Sequence, residues 1–355
     1  MPGRSDSGLA LGHADPMERH GGSFRNLATR CLVILRFLGL RLAKGALVLL
    51  AIAALNFFLI RAAPGDPAQV MAGEAGAADE QLLAQLRERF GLDQPLSHQL
   101  WIYLKGYASF DLGFSYRQQM PVSDLIMQRL PATLLLTSAA FFVSLLLGIV
   151  LGTLAARRAG RWTDSAITIL ALVFYATPLF WIALMSQIVF SLKLDWLPNV
   201  GFETIGANYT GLERMVDIAR HLVLPALTLG LFFTALYARM MRASMLEVEG
   251  ADFVKTARAK GLSPGIITRR HIARNAILPV VTLAGLQAGQ LVGGAVLTET
   301  VFAWPGLGLY ITRSLFNADM NAVLGGTLVV GAVFIGVNAT CDFFYKIADP
   351  RLRTS

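Results

Sequence analysis

The segment ARMMRASMLEVEGADFVKTARAKGLSPGIITRRHIARNAILP, Ala238 to Pro279, sets the frame for the whole chain. It carries eight basic residues (Arg239, Arg242, Lys255, Arg258, Lys260, Arg269, Arg270, Arg274) and three acids (Glu247, Glu249, Asp252) between two apolar stretches long enough to cross a bilayer. Lys and Arg accumulate on the cytoplasmic side of membrane proteins, so a loop this basic assigns the inner face and with it the orientation of its neighbours.

Composition agrees with a membrane class. Hydrophobic residues make up 55% of the 355 and charged residues only 15%, against about a quarter charged in soluble domains. Six stretches approach the ~20 apolar residues that a spanning helix needs: 42–60, 132–154, 165–190, 222–240, 277–297 and 324–345. With both termini inside, the cytoplasmic segments hold 21 of the Lys and Arg residues and the outer ones 10. The reading is an all-α integral membrane protein with six transmembrane helices, N-in and C-in. The net charge of +8 then follows from topology and points to anionic lipid headgroups. Nucleic-acid binding is excluded, because the basic residues do not gather on one surface with stacking aromatics. Cys31 and Cys341 both fall near the inner face and read as apolar filler.

The extramembrane parts follow from the span limits: a tail and interfacial helix at 1–41, outer regions at 61–131, 191–221 and 298–323, inner loops at 155–164 and 241–276, and a tail at 346–355. The polar first 24 residues contain no apolar signal region. Arg25, Arg30, Arg36, Arg41 and Lys44 share half a helical wheel, which predicts an amphipathic helix on the inner leaflet or a cytoplasmic extension of the first span. Outside, PGDP (Pro64 to Pro67) reads as a turn, Asp79 as the cap of a helix to Phe90, and Leu96 to Tyr107 as a second amphipathic helix.

The basic loop has its own pattern. Asp252 to Lys260 reads as a short helix with Phe253, Val254 and Ala257 as its apolar residues. Gly261 ends it, because glycine enters the left-handed conformation of a helix terminus without a steric penalty. Ser263 and Pro264 then restart a helix over Gly265 to Asn275. Two short helices at an angle, exposed at the membrane surface, form a knob.

Within the spans, Gly285, Gly289 and Gly293 recur every four residues and predict close approach of another helix. Gln287 and Gln290 lie on a different face, either toward a translocation path or in ordinary interhelical hydrogen bonds. Pro178 removes a backbone donor in the third span and predicts a kink. Asp342, one turn from Lys346, reads as an interfacial salt link, which leaves the spans poorly equipped for proton or sodium coupling.

These segments carry a family resemblance. KTARAKGL (Lys255 to Leu262) followed by RRHIARNAILPVV (Arg269 to Val281) resembles the cytoplasmic loop of inner-membrane permeases of ATP-binding-cassette (ABC) importers, in the branch for dipeptides, oligopeptides and nickel. RAAPGDPA (Arg61 to Ala68), FDLGFSY (Phe110 to Tyr116), LTETVFAWPGLGLY (Leu297 to Tyr310) and DPRLR (Asp349 to Arg353) are similar to the same branch. Lys255, where the broad consensus has an acid, and the late Leu278-Pro279 are features of that branch. ADMNAV (Ala318 to Val323) departs from it.

The resemblance implies a type I ABC importer permease fold, a bacterial inner-membrane location and a heterodimer with a second homologous permease. It also implies two cytosolic ATPase subunits, which hold ATP and Mg, and a periplasmic solute-binding protein. It assigns ATPase coupling to Gly250, Asp252, Phe253, Val254, Lys255, Ala257, Arg258, Ala259, Lys260, Gly261 and Leu262. Gln287, Gln290 and Pro178 are the candidates for the path. Peptides lead as cargo, with nickel, glutathione or an opine-like solute as alternatives. The chain has no GxxxxGK[ST] loop, no HExxH, no GxSxG and no paired-cysteine motif, so no cofactor is expected on it and no enzymatic role. A self-sufficient secondary transporter would call for inverted repeats and midplane charges, and a membrane enzyme such as an intramembrane protease or acyltransferase for a catalytic dyad or triad within the spans; the sequence offers none of these.

Overall fold

The computed structural model describes residues 39, 41, 43–59, 61, 62, 68, 80–89 and 93–348, with side chains on the last helix described to 341. The expected tail and interfacial helix at 1–41 lies outside these residues but for 39 and 41. So do the PGDP turn, the Asp79 cap, Cys31, the Asp342–Lys346 side-chain pair and the DPRLR ending. The chain divides into two units, Met1–Val48 and Leu49–Ser355. In the first, the described residues are helical.

Among the described residues, the regular elements are helices apart from one small hairpin. In order come α1 (Ala43–Leu59), α2 (Glu80–Arg89), α3 (Leu96–Ala108), β1 (Phe114–Ser115), β2 (Met120–Pro121) and α4 (Val122–Arg157). Then follow α5 (Trp162–Ala176), α6 (Leu179–Lys193), α7 (Gly211–Glu249), α8 (Asp252–Ala259), α9 (Pro264–Val301), α10 (Leu307–Phe316) and α11 (Met320–Ala348). Among the described residues, α4, α7, α9 and α11 are long and apolar enough to cross a membrane, and α5 with α6 makes a fifth if the bent pair is one span. The helix α1 is a shorter apolar one.

Small residues decide the packing. Along α4, Ala140, Ser144, Gly148 and Gly152 recur every four residues and are all buried. A Cβ on Gly148 would overlap the Tyr237 side chain, and one on Gly152 would sit 2.5 Å from the Ala238 carbonyl oxygen. Helices without side chains on one face approach closely and gain dispersion contacts that lipid cannot match. The core therefore sits between α4 and α7, with Leu136, Leu229, Phe233, Tyr237 and Met241 in it, and α9 closes it through Ala276, Val280, Ala284 and Leu291. The glycine stripe on α9 works in part. Asn338 and Phe334 of α11 crowd Gly289, and the Cys341 Cβ would be 3.6 Å from a Cβ on Gly285, but Gly293 has nothing within 4 Å among the described residues.

Three local features differ from the sequence expectation. Pro178 produces a break rather than a kink: α5 ends at Ala176, Pro178 caps α6, and the two axes meet at 106°. The helix expected over Gly265 to Asn275 is not separate, because it runs without interruption into α9. Pro264 starts that helix, and its stretch Ile267–Ile272 is π-helical before the α-helical course resumes at Ala273. Finally, an antiparallel hairpin pairs Phe114 with Pro121 and Ser115 with Met120, a minor exception to an all-α chain.

Candidate functional site: the basic loop and its two braces

Helix α8 is short because its ends are set chemically. Ala251 in extended conformation starts it and Gly261, at φ +77°, reverses the chain after it. The Gly261 and Leu262 amides return to the Arg258 and Ala257 carbonyls at 3.0 and 3.4 Å, which satisfies carbonyls left open at the helix end. Pro264 occupies the first position of α9, as the sequence predicts, while the Ser263 hydroxyl makes no capping bond.

The loop helix has one face turned into the protein and one turned out. Val254 (0% exposed) and Ala257 (4%) join the same core as Ile267 and Ile272 of the π stretch and Met245 of α7. Phe253 is 46% exposed, and Leu262 and Ile266 are also exposed. Of Phe253, Val254 and Ala257, Phe253 alone faces away. Val254 and Ala257 instead fasten α8 to its own chain. Around them, Lys255 Nζ donates to Asp252 Oδ1 at 2.8 Å and Arg258 Nη2 donates to Glu249 Oε1 at 2.6 Å. Both pairs are solvent-exposed and hold side-chain direction more than stability. Gly250 closes α7, and Ala259 and Lys260 are exposed on the outer side of the turn.

A brace ties the start of this loop to the turn between α4 and α5. Arg242, near the end of α7, donates from Nε to Asp164 Oδ1 at 2.6 Å and from Nη2 to Oδ2 at 2.8 Å. The Gly160 amide donates to Oδ2 at 3.0 Å, and Gly160 holds φ +75°. The Asp164 side chain is only 7% exposed, so this planar two-bond pairing compensates its desolvation. With 78 positions between them, no local sequence pattern pairs the two.

At the other end of the bundle, a second brace is built on Glu299, which is fully buried near the C-terminus of α9. Its carboxylate accepts from Thr133 Oγ1 at 2.7 Å and from the Gly308 and Leu309 amides at 2.6 and 3.1 Å. Thr133 Oγ1 in turn accepts the Leu307 amide at 2.8 Å, and the indole of Trp304 donates to the Ala132 carbonyl at 2.8 Å. A Cβ on Gly306 would collide with the Glu299 carboxylate, and one on Gly308 would be 2.5 Å from Val296 Cα. The segment LTETVFAWPGLGLY is thus a folded clamp in which the acid and two glycines need one another. The hairpin is secured nearby: Ser115 donates to Asp319, and Asn321 Nδ2 donates to the Phe114 carbonyl at 2.9 Å. ADMNAV, the segment that departs from its branch, supplies both partners.

The candidate path residues lie in different settings. Gln287 is half-buried, with an Oε1 that meets no hydrogen-bond partner among the described residues. Gln290 is exposed, and Pro178 caps α6. No group of three or more metal-ligating side chains occurs among the described residues.

Comparison with known proteins agrees with this architecture. The family described as "Binding-protein-dependent transport system inner membrane component" matches residues 148–354, and its N-terminal companion matches 34–137. The dipeptide transport system permease protein DppB of Alkalihalophilus pseudofirmus is 37% identical over 322 residues, covering 86% of this chain and 96% of the relative. The di/tripeptide transport system permease protein DppB of Pseudomonas aeruginosa is 38% identical over 334 residues, covering 90% and 99%. Among solved structures, an inward-facing form of the MetNI methionine ABC transporter aligns with TM-score 0.50 at 17% identity, over 63% of this chain and 96% of that one. The fold is that of the type I importer permeases, and the location is the bacterial inner membrane. The chain belongs to the binding-protein-dependent transport system inner membrane component family and is a permease of an ABC importer.

Proposed function

We propose that this permease forms one half of a peptide translocation path, paired with a second homologous permease, driven by two cytosolic ATPase subunits and fed by a periplasmic solute-binding protein. Peptide as cargo follows from the relatives, two of which are named for dipeptide or di/tripeptide transport. ATP and Mg would reside on the partner ATPases. The span limits and the N-in, C-in topology given above are part of the proposal.

The observation that carries the mechanism is the division of α8 into a fastened face and a free one. Val254 and Ala257 are locked into the core while Phe253 stays exposed. A helix that only bridged two spans would have no reason to anchor itself so firmly and leave its largest side chain in water. An ATPase groove closing over Phe253, Leu262 and Ile266 would bury them. Movement of the groove would then pass to α7 and α9 through the residues from Glu249 to Asn275 acting as a rigid lever. The residues assigned to coupling divide accordingly. Val254 and Ala257 transmit, Phe253 and Leu262 contact, and Gly250 and Gly261 set the angles. Asp252, Lys255, Arg258, Ala259 and Lys260 form the polar rim. The test is reconstitution of the full complex in proteoliposomes with its binding protein. Uptake of a labelled dipeptide that requires ATP supports the reading, and dipeptide uptake driven by a proton or sodium gradient without ATP refutes it.

A further inference from the structure

A cavity of about 320 Å³ opens beside the clamp, lined by Arg117, Arg129, Arg313, Tyr310, Ser314 and Asp319 among others. Three guanidinium groups converge there, one from the hairpin turn, one from α4 and one from α10. None of them forms an ion pair among the described residues. Their polar contacts are to neutral acceptors. Arg129 Nη1 donates to the Leu125 carbonyl at 2.7 Å and Nη2 to Gln118 Oε1 at 3.4 Å, while Arg117 Nη1 donates to the Asn317 carbonyl at 3.3 Å. The single acid in the lining is already engaged, since Asp319 accepts from Ser115 and from the Ala322 amide.

The cavity therefore carries an excess of positive charge beside buried hydroxyls. Tyr310 and Ser314 are 3% and 2% exposed, and their hydroxyls have only each other as hydrogen-bonding neighbours among the described residues. Arg129 lies over the Tyr310 ring at 4.5 Å, and burial pushes that phenol up to about 12, so it remains a neutral donor. Guanidinium groups match carboxylates in a planar two-bond geometry, and a buried donor left without an acceptor is costly. The volume also falls at the lower end of the range of small-molecule sites, about 300–1,000 Å³.

We propose that this cavity is a binding site for the carboxylate group of a small solute, held by Arg117, Arg129 and Arg313 at the outer mouth of the permease. The assignment to the outer mouth rests on the topology proposed above. A concave site with hydroxyls in its wall admits a small inserted group, whereas a flat basic surface would meet a docked protein. In a peptide importer the group is the terminal carboxylate of the cargo on its way from the binding protein.

The test uses the intact complex in nanodiscs, labelled with phenylglyoxal and read by peptide mass spectrometry at each arginine. Glycylglycine slows labelling of Arg117 and Arg313 severalfold, glycylglycinamide, which lacks the carboxylate, does not, and the exposed-residue variant Arg313→Gln loses the protection of Arg117. Equal effects of the two probes, or none at saturation, overturn the proposal. Protection by the binding protein and by no small carboxylate assigns the arginines to a docked acidic side chain and likewise overturns it. ATP-dependent dipeptide uptake by the same preparation is measured in parallel, so that a complex which transports without protection loses this site and keeps its function.

Discussion

Arg242 holds Asp164 through Nε and Nη2 of its guanidinium group, at 2.6 and 2.8 Å, and so joins the turn after α4 to the end of the helix that leads into the basic loop. The pairing couples two segments that the sequence shows as unrelated charges in separate loops. It also gives α8 a fixed base, because α7 ends at Glu249, only seven residues after Arg242.

Removing one partner should therefore cost more than removing both. Arg242→Gln leaves a largely buried carboxylate facing only the Gly160 amide, an expected loss of about 2 kcal/mol. Asp164→Asn in the same background should restore part of it. Thermal unfolding of the four detergent-purified proteins in a double-mutant cycle measures the coupling; strictly additive losses would show that the bonds contribute nothing.

The Glu299 clamp predicts a steric requirement at the opposite end. Gly308→Ala would bring a methyl against the Val296 backbone, and Thr133→Val would leave the Leu307 amide and one Glu299 oxygen without partners, each at a cost of about 1–3 kcal/mol. Protease resistance of the segment Phe302 to Asn317 and thermal stability should fall for both variants, while Gly293→Ala, in open space, should be silent.

How much of this was legible in the sequence varies with how local the cause is. The reversal at Gly261 and the helix start at Pro264 follow from the backbone preferences of single residues, and both are present. Burial of Val254 and Ala257 within the chain depends on Ile267 and Ile272 being turned toward them by a π-helical stretch, which no short-range pattern reports. The Glu299 clamp was half visible. Its residues sit in a segment that carries the family resemblance, but ending the apolar span at Leu297 left the carboxylate outside the helix that buries it. An acid followed by two closely spaced glycines, Gly306 and Gly308, was the signal. The α4 stripe of Ala140, Ser144, Gly148 and Gly152 was readable by the same spacing rule applied to α9.

Gly261 carries its own prediction. Its φ of +77° excludes a β-branched residue without a strain of about 1–2 kcal/mol, and nothing lies within 4 Å to crowd a side chain. Gly261→Val should insert normally and reach normal abundance, yet lose transport and cargo-stimulated ATP hydrolysis. Full transport would remove the lever from the mechanism.

Topology gives a separate check. In a background with Cys31 and Cys341 replaced by alanine, single cysteines at Ser97 and Asn208 should react with an impermeant thiol reagent applied from outside, and those at Ser263 and Ser355 should not. The reverse pattern would invert the assignment of both faces.

The central claim is that the exposed face of α8 is the seat of the ATPase, and Phe253 tests it most directly. At 46% exposure, Phe253→Ala should change the stability of the isolated permease by no more than about 0.5 kcal/mol, whereas Val254→Ala, in the core, should cost about 2 kcal/mol. The decisive measurement is co-purification of the ATPase subunits with each permease variant at matched expression. The account predicts that Phe253→Ala loses them from an otherwise stable protein, while Lys255→Ala retains them with weaker, more salt-sensitive binding. Retention by Phe253→Ala together with release by Lys255→Ala would contradict it and replace the apolar seat with an ion-pair interface.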